Sequence, residues 1–248
     1  MSEFLWKSYG SRPCLTFTPD ITEVQSPPVV WGFGGSSFFN FDETRELQDT
    51  VQCKHSLRLS QVHDSNIISP TREELHRVKS HGGGNWEEPA DGWYLAFDEV
   101  LESEVVFLLS TADCLPLLFL GKNEVALIHA GWRGLAAGIL IKAWSAFREL
   151  QCVVIGPAAD PKCYEVGEEF KDYFSPQSLT PLLNSSGKFL FNMFLEAELS
   201  LRKAGCEKPV FIAPHFTITD QQFYSHRREP ENRGRNLSFI AFPRSASE

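Results

Sequence analysis

No C-x-x-C pair occurs among the six cysteines (Cys14, Cys53, Cys114, Cys152, Cys163 and Cys206), so the spacing of zinc fingers and ribbons is missing. In a chain of 248 residues with no leader-like start, scattered cysteines of this kind are expected to be reduced thiols rather than a disulfide framework. No His-x-His pair occurs among the seven histidines, and a multicopper cluster needs many imidazoles close together. Neither G-x-G-x-x-G nor a P-loop is present, which removes the usual anchors of dinucleotide and nucleoside triphosphate binding. "HGGG" at 81–84 has the look of a lipase oxyanion loop, but no G-x-S-x-G accompanies it. No apolar run reaches the roughly 18 residues that would span a bilayer, because Asp113, Lys122 and Glu124 interrupt the best one. The opening "MSEFLWKSYG" lacks a basic start, an apolar stretch and a small-residue cleavage site, so a cytoplasmic protein is expected. Positive charge is also scarce: a formal net charge of -9 argues against broad nucleic-acid binding. The exception is "SHRREPENRGR", where Arg227, Arg228, Arg233 and Arg235 form either a solvated loop or an anion-binding rim.

What is present is ordinary globular material, 42% hydrophobic and 22% charged, without repeats or low-complexity linkers. Pro and Gly turns between the apolar runs of residues 18–41 suggest strands and loops. "FDETRELQDTVQCKHSL" reads as a helix, and "LRLSQVHDSNIIS" as two short strands around a turn. "VVFLLST", "LPLLFL" and "VALIHA" are apolar on both faces, as strands covered on both sides are. "GLAAGILIKAWSAFREL" predicts one helix with Leu135, Ile139, Ala143 and Phe147 on a stripe. "VVIGPAA" predicts a buried strand, "VGEEFKDYF" a short helix, "FNMFLEAELSLRKAG" a helix closed by Gly205, and "PVFIAP" and "LSFIAF" late strands. Strands and helices mix without βαβ alternation, so the expectation is a single α+β domain of mixed β-sheets flanked by helices over residues 1–248. Residues 1–28 are a candidate N-terminal extension.

Within the most apolar stretch, "LLSTADCLPLLFLGKNEVALIHAGWRG", stand Asp113, Cys114 and His129. Gly121-Lys122 suits the central positions of a type II′ hairpin turn. That turn would set Leu120 opposite Asn123 and Cys114 opposite His129, with Cβ atoms about 4.5–5.5 Å apart on one face. Such a pair can share a metal or act as a nucleophile with its base, although Pro116 cannot donate to the ladder. A third metal ligand would come from His55, His63, His76, His81, His215 or His226, and His63 stands out because "QVHD" breaks a strand pattern at a turn. After His129, "AGWRG" leads into a helix whose N-terminus, with Arg133, could receive an anion; an ordinary surface ion pair would explain Arg133 equally well. Cys163 and Glu165 in "CYEVGEEF" read as buried packing and a helix-entry carboxylate.

"SQVHDSNI", "ADG" at 90–92, "TADCLPLLF", "HAGWRGLAAGIL", "IGPAADPKCYEVGEEF" and "FYSHRRE…GRNLSFI" occur here in that order. Through them the chain, from about residue 30 onward, resembles the YfiH family of laccase-domain proteins, members of which are described as purine nucleoside phosphorylases and as peptidoglycan-editing factors. The resemblance implies a fold akin to that of toxin deamidases with a Cys-His pair. It also implies a zinc held by His63, Cys114 and His129. Some motifs depart from the family's: Asn40-Phe41-Asp42 replaces Asn-Leu-Gly, Thr44-Arg45 an Asn-Arg pair, His215-Phe216-Thr217 a Cys-Thr region, and Ser225-His226-Arg227-Arg228 a Ser-Tyr-Arg-Arg run. Asn40, Arg45, Arg133 and Arg228 are the expected substrate-binding residues, with Cys114, His129 and Asp113 as the catalytic set.

The function the resemblance implies is zinc-dependent phosphorolysis of adenosine, inosine or guanosine, with adenosine deaminase as a further activity. The substrates would be a purine nucleoside and phosphate, and the protein a monomer or homodimer. The H-x-E and P-C-x-x-C signature of zinc deaminases is absent, so deamination would need another architecture. A metal-free Cys-His hydrolase or amidase acting on peptidoglycan precursors is the alternative. Copper polyphenol oxidation, the source of the family's older name, ranks below both, and a non-catalytic partner-binding domain is the fourth reading.

Overall fold

The computed structural model describes residues 3–9, 12–18, 29–36, 41–183, 185 and 187–244. In chain order its elements begin β1 (Glu3–Tyr9), β2 (Arg12–Thr18), β3 (Val30–Gly34), α1 (Phe41–Thr50), β4 (His55–Arg58), α2 (Arg72–Ser80), β5 (Gly84–Asn85) and β6 (Gly92–Ala96). They continue with α3 (Phe97–Val100), β7 (Val105–Thr111), β8 (Leu115–Gly121), β9 (Glu124–Ala130), α4 (Trp132–Ala136), α5 (Ile139–Ala146) and β10 (Leu150–Ile155). The last are β11 (Glu165–Gly167), β12 (Leu179–Pro181), β13 (Lys188–Phe191), α6 (Met193–Lys203), β14 (Val210–Ile212) and β15 (Asn236–Phe242).

The doubly apolar runs do form strands closed in on both sides. A seven-stranded sheet in the order β1-β2-β3-β15-β7-β4-β5 faces a five-stranded sheet in the order β14-β10-β8-β9-β6. Side chains alternate across each strand. Leu118 and Leu120 of β8 therefore join Phe107, Leu109, Ile240 and Trp93 in the core between the sheets. Leu117 and Phe119 point the other way, to Ile139 and Leu140 of α5 and Ala197 and Leu201 of α6. Behind the larger sheet, Leu47 of α1 and nearby Val51 cover Val106, Leu108 and Phe239. The result is a mixed α/β arrangement of two central sheets with helices outside, plus a three-stranded sheet in the order β11-β13-β12.

The N-terminal stretch set apart from the domain is partly built into it. β1 and β2 pair as a hairpin, and β2 continues the large sheet through Cys14↔Gly34 and Leu15↔Phe33. The single helix expected after His129 is interrupted: Gly138 takes φ 77 between α4 and α5, leaving α4 five residues long and Phe147 beyond the end of α5. "VGEEFKDYF" yields a short strand and a 3-10 turn over Glu168–Asp172, and the second strand expected after His63 is reduced to one bridge, Ile68↔Trp93. Gly82, Gly83 and Gly84 all adopt positive φ, as a three-glycine loop can.

α2 begins with a complete capping box. Thr71 accepts a hydrogen bond from the Glu74 backbone, and the Glu74 carboxylate accepts from the Thr71 backbone. Removing the cap in Thr71→Ala is expected to cost about 1 kcal/mol, measured by urea unfolding, with no change in the chemistry described below.

The hairpin register differs from the sequence expectation by two residues. Leu120 opposes Val125, and Pro116 opposes His129, so Lys122 and Asn123 form the turn. Gly121 has no positive φ; a Cβ there would meet the Phe147 ring at 2.8 Å, so its smallness serves packing. The turn backbone is held from outside, by Lys122 N–H to Glu149 and Phe97 N–H to Asn123. One further step along the ladder puts Cys114 opposite Gly131, with His129 its diagonal neighbour. A shift of two preserves the face, so Cys114 and His129 still meet. Pro116 sits where the β8–β10 ladder ends; its carbonyl accepts from Gly156 N–H, and its missing donor breaks no interior pairing.

Candidate metal centre

Four chain segments supply the centre. His63 comes from the loop between β4 and α2, Cys114 from the turn between β7 and β8, His129 from β9, and Asp91 from the residue preceding β6. One ligand atom from each of His63, Cys114 and His129 lies within 4.8 Å of the others. The two imidazoles meet edge to face, ring centroids 4.7 Å apart at 87°.

Asp91 organises this cluster and is fully buried. One carboxylate oxygen lies 2.7 Å from His129 Nδ1 and accepts the His63 backbone N–H at 3.0 Å; the other accepts Asp64 N–H at 2.8 Å and Val62 N–H at 3.3 Å. The same carboxylate thus holds His63 at its positive φ of 62° and accepts a hydrogen bond from His129 Nδ1–H, leaving Nε2 for the ligand side. Burial pushes Asp91 up, but His129 and the backbone N–H groups outweigh it and hold the carboxyl below its ordinary range.

Burial also pushes the Cys114 thiol up, yet His129 and His63 overcome this and bring it down to about 6. Burial disfavours charge on His129, whereas Cys114 and Asp91 favour it and raise the imidazole to about 9. In the metal-free chain each group favours the charged form of the other.

The donor set suits a single ion of borderline softness: a thiolate and two imidazoles leave a fourth position open, the usual make-up of catalytic zinc. The backbone leaves room for it. A Cβ at Gly131 would stand 3.0 Å from Cys114 Sγ, 3.1 Å from His63 Cδ2 and 3.9 Å from His129 Nε2, so only glycine lets the chain pass this close to the three ligands. Among the described residues no second group of three His, Cys or acidic ligands exists, and a copper cluster of several ions has no further ligand set there.

The other expected site residues divide. Asp113, at φ 83°, has both carboxylate oxygens engaged, by the Thr217 hydroxyl at 2.6 Å and the Arg227 backbone N–H at 2.7 Å. It fixes the turn carrying Cys114, and the carboxylate touching His129 is Asp91 instead. Arg228 is a staple: it donates to the carbonyls of Thr217, Ile218, Asp220 and Phe223 and pairs with Glu229, so it is not free for substrate. Arg45 is exposed on α1 and does not line the cleft at the centre; Asn40 lies outside the described residues. Cys163 is exposed rather than packed, and Glu165 opens β11 and pairs with Lys188.

Arg133 does line that cleft, its guanidinium 4.4 Å from the Trp132 ring centroid. The cleft, about 800 Å³, also takes in Tyr164, His226, Arg227 and Arg235. Its size suits a small-molecule ligand. Sequence reasoning missed Asp91 as a partner of His129, and the signal available was its place in "ADG" just ahead of a buried strand.

Known proteins resemble this chain in sequence and fold. A Pseudomonas aeruginosa protein named purine nucleoside phosphorylase PA4543 is 30% identical over 211 residues, covering 80% of this chain and 78% of that one. The purine nucleoside phosphorylase of Aquifex aeolicus is 38% identical over 123 residues, and the YfiH phosphorylase of Escherichia coli 36% over 144. Those matches take in 48% and 54% of this chain and 57% and 58% of the relatives, so the chain spans little more than half of their length. The crystal structure of YlmD from Geobacillus stearothermophilus shares the fold, with a TM-score of 0.70 at 22% identity over 97% of this chain and 100% of that one. The family model described as multi-copper polyphenol oxidoreductase laccase matches residues 41–243. That span holds His63, Cys114, His129 and Asp91 and the whole lining of the cleft, and the chain therefore belongs to this laccase-like family, in which YfiH-type proteins are its relatives.

Proposed function

We propose that the protein is a zinc-dependent purine nucleoside phosphorylase acting in the cytoplasm. The observation that carries this reading is the opening of the His63-Cys114-His129 cluster into a cleft lined by three arginines and large enough for a nucleoside beside an anion. The names of its relatives supply the reaction class. Phosphorolysis joins a phosphate oxygen to C1′ of the ribose as the bond to the purine nitrogen breaks, and the leaving base takes up a proton. A zinc on the three ligands would supply a Lewis-acidic centre at the cleft. The chain's own part is to orient His129 through Asp91, to fix the Cys114 turn through Asp113, and to gather cationic groups for the anion.

The test is ribose 1-phosphate formation from inosine, guanosine and adenosine with inorganic phosphate, together with metal content by mass spectrometry on protein purified without added metal. About one zinc per chain and phosphate-dependent release of free base are expected. Zinc-loaded protein that forms no ribose 1-phosphate from any of the three overturns the reading. Inosine appearing from adenosine without phosphate would add deamination to it.

A second reading, a metal-free hydrolase or amidase, is favoured by one observation: Cys114, His129 and Asp91 form a nucleophile-base-carboxylate chain. Activity that survives chelation and dies on thiol alkylation would select it.

A further inference from the structure

Two sets of arginines differ in their partners. Arg77, Arg202 and Arg228 pair with glutamates. Arg133, Arg227 and Arg235 have no carboxylate within ion-pair distance among the described residues, and all three line the cleft beside the metal ligands. They come from separate places: α4, the turn after Ser225, and the residue preceding β15. Each is held without losing its charge. The guanidinium of Arg133 packs on Trp132, that of Arg227 lies 4.8 Å from the Tyr164 ring centroid, and Arg235 donates to its neighbour's carbonyl, Gly234 O, at 2.8 Å.

The only carboxylate in the lining is that of Asp113, and both its oxygens are occupied by hydrogen bonds. Thr111, another wall residue, is 2% exposed and its hydroxyl has no hydrogen-bond partner. Three uncompensated guanidinium groups in one concavity of a chain with net charge -9 are a local concentration of positive charge against the overall balance. Planar, permanently charged forks are matched to oxyanions, and three of them exceed what one carboxylate needs.

We infer that Arg133, Arg227 and Arg235 form a binding site for a phosphate dianion, with Arg227 and Arg235 replacing the Arg45 and Arg228 expected from the sequence. The inference deepens the phosphorylase reading and rests on it for the role of phosphate as co-substrate. The Arg227 guanidinium packs on Tyr164, and Asp113 accepts the Arg227 backbone N–H, so the turn that carries Cys114 is tied to the turn that carries one of the three arginines.

The experiment is calorimetric titration of inorganic phosphate into the metal-replete full chain, repeated with Arg227→Gln, Arg235→Gln and, as control, Arg233→Gln, which changes an exposed arginine outside the lining. Saturable binding is expected in the wild type, about tenfold or more weaker in each cleft variant and unchanged in the control, with thermal unfolding and metal content showing that the variants are folded. Arg235→Lys keeps the charge without the fork and is expected to fall between. No saturable binding in the wild type, or equal binding in all variants, overturns the inference. Ribose 1-phosphate formed with an unaltered KM for phosphate in both cleft variants overturns it while leaving the phosphorylase reading in place. Phosphate binding that follows the arginines in a protein without nucleoside turnover upholds the anion site and removes the phosphorylase reading.

Discussion

Cys114→Ala is expected to reduce bound metal from about one equivalent to background and to abolish nucleoside phosphorolysis, with the fold retained. Cys114 is the only thiolate donor of the cluster, and its side chain is half-buried at the end of a ladder whose pairing is all backbone. Removing one sulfur there takes away a ligand and little packing. The comparison that gives this result meaning is His63→Ala. If the centre works as a metal site, losing His63 is as damaging as losing Cys114, because each is one ligand of three. If the chemistry is nucleophilic, His63 supports the thiolate without being its base, and His63→Ala lowers activity but keeps a measurable part of it while Cys114→Ala keeps none. Metal content by mass spectrometry and turnover, measured on the same preparations, separate the two. A Cys114→Ala protein that retains a full equivalent of zinc would remove the cluster from consideration as a metal site.

Much of this site could be read from the sequence, and the reasons are specific. The strands were identifiable because β7, β8 and β9 are apolar on both faces, a property that only a sheet covered on both sides explains. The juxtaposition of Cys114 and His129 survived a wrong turn because side-chain direction in strands has a period of two, and the register was off by two. The turn itself was misread since Gly121 looks like a residue chosen for positive φ, whereas it is glycine to admit Phe147, a contact 26 residues away in sequence that no local rule contains. Gly138 misleads in the opposite direction: an isolated glycine in a helical pattern is usually tolerated, yet this one adopts φ 77 and divides the helix. That division removes the long helix whose N-terminus was to bind the anion.

Arginines were the least readable. Arg227 and Arg228 are neighbours of identical chemistry, and which one faces the cleft depends on the five carbonyl and carboxylate acceptors that the fold collects around Arg228. Nothing in the local sequence announces those acceptors, because they come from residues 217–229 folded back on themselves. The same holds for Asp113 and Asp91. Asp113 adjoins Cys114 in sequence and was the natural candidate to assist it, but the positive φ at Asp113 turns its side chain toward Thr217 and the Arg227 backbone. Asp91, remote in sequence, is delivered to His129 by the pairing of β6 with β9, where Gly92 opposes Ile128.

The division of labour between those aspartates gives the second large prediction. Asp91→Asn is expected to weaken metal binding by about 10–100-fold and to destabilise the protein by about 3–5 kcal/mol, whereas Asp113→Asn costs stability and leaves metal affinity close to wild type. Asp91 faces four donors: the backbone N–H groups of Val62, His63 and Asp64, and His129 Nδ1. An asparagine offers one acceptor oxygen, and its amide hydrogens would confront some of those donors, leaving buried groups unpaired. His129 then meets a donor where it had an acceptor. The imidazole answers by moving its proton to Nε2, which blocks the nitrogen that would bind the ion. His63 suffers too, since its positive φ is held by the same carboxylate. Asp113→Asn has no such reach, for its two partners are a hydroxyl that can reverse its donor role and one backbone N–H, and neither belongs to a metal ligand. Chelator competition and urea unfolding of both variants provide the check. Wild-type metal affinity in Asp91→Asn, with its loss in Asp113→Asn, would return the orienting role to the aspartate beside Cys114 and would mean that the hydrogen bond between Asp91 and His129 does not set the tautomer of the ligand.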